Sequence, residues 1–76
     1  MIPFDVKIHY MNGEVDIYQI FADSHKRVQR MTDKAFKKGH MLFLYENGEL
    51  HVPINTNVKK IEVVGVNMTV YDYEDQ

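Results

Sequence analysis

A chain of 76 residues with no cysteine, a formal net charge of −2 and 45% apolar residues has room for one small domain, and cannot supplement its core with disulfides or a cysteine-held metal. No stretch approaches the roughly 18 apolar residues of a membrane span, and the opening "MIPFDVK" lacks the basic-then-apolar pattern of a secretory leader, so a cytoplasmic protein without membrane contact is expected. A pI near 6.0 excludes a protein that coats nucleic acid with its whole surface.

The first element predicted is a β-hairpin around "YMNGEV" at residues 10–15, and the same signal returns in "YENGEL" at residues 45–50. Asn-Gly between alternating apolar runs marks a type I′ turn, because both central residues must take positive φ. In the first hairpin a two-residue loop pairs Tyr10 with Val15 and Ile8 with Ile17. Lys7, His9, Met11, Glu14, Asp16 and Tyr18 then share a solvated face, with His9 opposite Asp16.

Between the hairpins, "DSHKRVQRMTDKAFKKGH" predicts a helix over residues 24–38, capped by Asp23 or Ser24 and closed by Gly39 in the left-handed conformation. Val28, Met31, Ala35 and Phe36 form its apolar stripe. Lys26, Arg27, Arg30, Lys34, Lys37 and Lys38 fall within about 120° of one another when each residue advances by about 100°. From Lys26 to Lys38 only Asp33 is acidic, so that segment carries +5 and the remainder of the chain −7.

The second hairpin sets Met41 opposite Ile54, Phe43 opposite Val52 and Tyr45 opposite Leu50, with the like-charge pair Glu46 and Glu49 beside the turn. Pro53 cannot donate to a strand ladder, so pairing stops or shifts there. The run "MLFLY" at residues 41–45 is apolar at every position, which calls for cover on both faces. One helix covers one face only. Leu42 and Leu44, with Met11, Tyr18 and Pro53, are therefore the candidate interface patch, to be covered by the last strand, a second copy or a partner. "NTNVKK" at residues 55–60 reads as a tight connection, and "KIEVVGVNMTVYDY" as one long strand or two shorter ones bent at Gly65. Residues 1–70 thus make one domain, with an acidic, fraying tail over residues 71–76.

The order of β-hairpin, single amphipathic helix, β-hairpin and final strand or strands gives an α+β domain with one helix on a mostly antiparallel sheet. In order and lengths this layout is similar to the ubiquitin-like β-grasp. The chain ends in "YEDQ" rather than a di-glycine tail, so the resemblance does not imply conjugation. A small SH3-like or Sm-like barrel with the helix inserted after the second strand is the alternative.

Catalytic chemistry is not encoded in any recognisable form. Ser24 is the only serine, and no threonine has the context of an activated nucleophile. The four histidines, His9, His25, His40 and His51, form no ligand-spaced pair, and all four glycines have structural explanations. The expectation is a non-enzymatic interaction or regulatory module with no metal and no cofactor. It would bind a larger protein, with an acidic surface, through the basic helix face or the apolar strand patch. A nucleic-acid-binding protein using the same helix is the alternative, and a homodimer through the patch is the other expected assembly.

Overall fold

The β-branched and aromatic alternation of "IPFDVKIHY" and "VDIYQIFA" builds two long antiparallel strands, β1 (Ile2–Tyr10) and β2 (Val15–Ala22), in the computed structural model, which describes residues 1–51 and 57–75. Their loop has three residues rather than the expected two. Tyr10 donates its N–H to the Glu14 carbonyl at 2.9 Å, and the Gly13 N–H reaches the Tyr10 carbonyl at 3.0 Å. Gly13 alone in this loop takes positive φ, at 89°, the pattern of a tight turn followed by a glycine bulge. The Asn12 side chain accepts the Glu14 N–H at 2.9 Å, which holds the loop closed.

That one residue corrects the expected register. His9 pairs with Val15, Ile8 with Asp16, Lys7 with Ile17 and Val6 with Tyr18. A shift of one position exchanges the two faces of a strand. Asp16 and Tyr18 therefore share the core-facing side with Val6, Ile8 and Tyr10, whereas Val15 and Ile17 look outward and stay 46% and 53% exposed. His9 does not meet Asp16; its Nε2 lies 2.6 Å from Glu62.

The helix α1 (His25–Lys38) forms where predicted. Ser24 is its N-cap, accepting the Arg27 N–H at 3.2 Å, and Gly39 ends it at φ 71°. Val28 and Thr32 are fully buried under it, and the Thr32 hydroxyl donates to the Val28 carbonyl at 2.9 Å, so this polar side chain enters the core satisfied. Met31, Ala35 and Phe36 pack at the margin of the core, with Phe36 stacked on Tyr71 at 3.8 Å between ring centroids.

The second hairpin, β3 (Leu44–Glu46) and β4 (Glu49–His51), turns through Asn47 and Gly48, both at positive φ, and pairs Tyr45 with Leu50 and Glu46 with Glu49 as expected. The pairings expected of Val52 and Ile54, and the effect of Pro53, lie outside the described residues. β5 (Val58–Val63) and β6 (Met68–Asp72) are separated by a turn in which Gly65 and Asn67 have positive φ, matching the two-strand form of the expectation. Residues 71–75, placed in the tail by the sequence, carry regular structure. β6 continues to Asp72, Tyr71 packs under the helix, and Tyr73–Asp75 form a 3₁₀ turn.

The strands join one antiparallel six-stranded sheet in the order β4-β3-β2-β1-β5-β6, with the helix on one face, an α+β fold. The place beside β1 opposite β2 is taken by β5, running antiparallel, and β6 lies outside it. β4 and β6 are the edges. At the β6 edge the Gln29 side chain of α1 donates to the Val70 carbonyl at 2.9 Å.

Candidate functional site

The helix that covers the core presents its other side to solvent. Lys26, Arg27, Arg30, Lys34, Lys37 and Lys38 are all exposed, on the face opposite Val28 and Thr32. Over the rise from residue 26 to 38 they extend about 18 Å. Of these six cations, only Lys37 comes within 4.0 Å of a carboxylate among the described residues, that of Asp33 one turn earlier. The other five cations have no ion-pair partner there, so their field projects into solvent.

Local helix physics accounts for only part of this distribution. The first turn contains no acidic residue, and Lys26 and Arg27 occupy it. Cations there oppose the helix dipole by about 0.3–1 kcal/mol each. Lys37 and Lys38 sit in the last turn, where the dipole favours them. One flank of the stripe is acidic: Asp33, Asp72 and Asp75 share a hollow of about 270 Å³ with Gln29, Phe36 and Lys37.

The expected apolar patch is not assembled. Leu42 and Leu44 are 3% and 1% exposed and belong to the core, because β3 lies beside β2 with Leu44 turned toward the helix. Tyr18 is half-buried on the same side, its ring 5.4 Å from that of His51. Met11 is exposed at the first hairpin tip and borders a separate hollow of about 440 Å³ with Phe36, Asn57, Val58, Tyr71 and Tyr73. Pro53 lies outside the described residues.

The uncovered apolar surface is instead on the opposite face of the sheet. There Val15, Ile17 and Leu50 are exposed, and Phe21 meets Tyr45 edge-on at 5.1 Å. The same face turns polar across β1 and β5. His9 and Lys60 both contact Glu62, at 2.6 and 3.8 Å, and the hydrogen bond from His9, then the charge of Lys60, hold the Glu62 carboxyl below its usual range. The face was missed in the sequence because β2 is apolar on both sides: Tyr18, Ile20 and Ala22 alternate with Val15, Ile17 and Phe21, and only the loop length decides between them.

A hydrogen-bonded pair near the first hairpin was also missed. The Tyr10 hydroxyl donates to Asp16 at 2.9 Å, and burial together with that carboxylate raises the phenol well above its ordinary pKa. Such a phenol stays protonated and acts as a structural donor. Among the described residues, no three His, Asp or Glu side chains are grouped to hold a metal ion, and no helix is long and apolar enough to cross a membrane. No protein-family model, curated protein or solved structure matches this chain.

Proposed function

We propose that this chain is a small non-enzymatic interaction module that docks on an acidic surface of a larger protein through the basic face of α1. The observation that carries the reading is the stripe itself: six exposed cations on one helix face, five without a carboxylate partner among the described residues, two of them set against the helix dipole. Local rules broken without local gain are the expected mark of a functional surface. The acidic flank of Asp33, Asp72 and Asp75 narrows the cationic surface to a strip, which favours a protein partner with a narrow acidic row over nucleic acid, whose phosphates would extend across the flank. The reading places the module in the cytoplasm, where a cysteine-free domain needs no oxidising compartment.

Reversal of Arg30, Lys34 and Lys37 to glutamate tests it. All three are exposed and outside the core, so the variant is expected to keep the circular-dichroism spectrum of the parent while losing its partner. Unchanged affinity would reduce the stripe to a solvated face. Salt distinguishes the ligand class. Neutralising about five phosphates of duplex DNA gives a log-log slope near −4 or steeper, whereas a protein contact changes mainly in association rate and has a shallower slope.

A further inference from the structure

The basic face of α1 is ordered in rows. Residues four apart on a helix form a ridge, and the ridge Lys26, Arg30, Lys34, Lys38 is cationic at every position. The ridges beside it are not: His25, Gln29, Asp33 and Lys37 run along one side, and Arg27, Met31 and Ala35 along the other. Successive cations on the central ridge are about 6 Å apart along the axis. Met31 and Ala35 are half-buried at the core margin, so the groove on their side is shallow and apolar. The groove on the other side is bordered by Asp33, with Asp72 and Asp75 beyond it.

This pattern is narrow, linear and periodic. A duplex, whose charge is spread over a wide cylinder, would bring phosphates against the acidic border. A helix packed on α1 would not, since one row of its side chains enters the groove beside the cationic ridge on the side of Met31 and Ala35, away from Asp33. Resting on the function proposed above, we infer that the partner element is an acidic α-helix whose carboxylates recur every four residues and lie along the Lys26–Arg30–Lys34–Lys38 ridge. The apolar groove beside Met31 and Ala35 takes small side chains of the same helix.

Four probes test this against the full chain by fluorescence anisotropy: a synthetic helical peptide of roughly 18 residues, long enough to hold its helicity, with glutamate at every fourth position; a peptide of the same composition with the glutamates distributed around the helix; one broken by a central proline pair; and a DNA duplex. The first is expected to bind at least about tenfold more tightly than each of the others, a difference of about 1.4 kcal/mol. Reversal of Arg30 and Lys34 to glutamate should abolish that preference, with circular dichroism reporting an intact fold. Equal binding of the broken peptide overturns the helical partner and leaves an acidic protein surface standing. Tightest binding of the duplex overturns both readings. Absence of peptide binding, or binding indifferent to the double reversal, also overturns the inference, and indifference to charge reversal removes the stripe from function altogether.

Discussion

Tyr10 and Asp16 were expected on opposite faces of the first hairpin and are hydrogen-bonded on one. Because the fold raises the Tyr10 pKa above its ordinary 10.0, its stabilising contribution is complete below that pH and is lost as pH rises toward the folded value. Tyr10→Phe is therefore expected to flatten the alkaline limb of a stability-versus-pH curve measured by urea unfolding, while a parent with a flat alkaline limb would show that the phenol is not perturbed. Glu62 has the opposite sign. Its carboxyl is depressed mainly by the His9 hydrogen bond, so its contribution is present above the ordinary 4.5 and disappears as pH falls through the lowered value. Glu62→Gln should reduce the acid-side loss of stability. The two Asn-Gly turns differ in the same local way. Gly48 and Asn47 both need positive φ, whereas at the first turn only Gly13 does. Gly13→Val and Gly48→Val should each cost at least about 1 kcal/mol. Asn12→Ala loses only the Asn12–Glu14 hydrogen bond, about 0.5–1.5 kcal/mol.

At the level of elements, β3 gives the sharpest test. Leu44 is 1% exposed, and its truncation to alanine should cost about 2–5 kcal/mol, a large part of the roughly 4–11 kcal/mol available to a domain of this size. Leu42 and Leu44 changed together to lysine are expected to unfold the chain, seen as loss of a cooperative thermal transition; a folded double variant would contradict their place in the core. Ile17→Lys with Leu50→Lys, on the open face, should instead leave the transition within about 0.5 kcal/mol. The contrast shows what could be read from the sequence. The helix was legible to within a residue because Ser24 and Gly39 punctuate it and its apolar spacing has one solution. The β2 faces were not, since both are apolar and a single loop residue sets the register. Likewise, the need for cover on "MLFLY" was visible, but not that Leu42 and Leu44 would be the covered side. Thr32 was hidden for another reason: a threonine that bonds its own helix enters a core without leaving a trace in hydropathy.

For the whole molecule, charge and apolar surface are divided between two sides, the cationic helix on one and the open sheet face with Val15, Ile17 and Leu50 on the other. The stripe could be read in the sequence because helical spacing is local, whereas its acidic border depends on the C-terminal residues returning beside Asp33. Asp75→Asn should therefore raise affinity for duplex DNA about twofold to fivefold in low salt, measured by anisotropy, by removing one repulsive charge of about 0.4–1 kcal/mol. No rise would mean that the border does not filter ligands.

The Gln29 hydrogen bond to the Val70 carbonyl ties the helix to the sheet's outermost strand. An open strand edge is a template on which another chain can add, and "MTVYD" has the β-branched and aromatic character that makes such addition persistent. With α1 in place, Gln29 engages a carbonyl of that edge and Phe36 lies over Tyr71. Both contacts come from α1, so a change that weakens the helix loosens the two of them together. The helix thus shields a strand edge as well as the core, and Gln29→Ala is expected to make the protein aggregate sooner than the parent on heating, followed by light scattering; equal onset would show that this contact does not protect the edge.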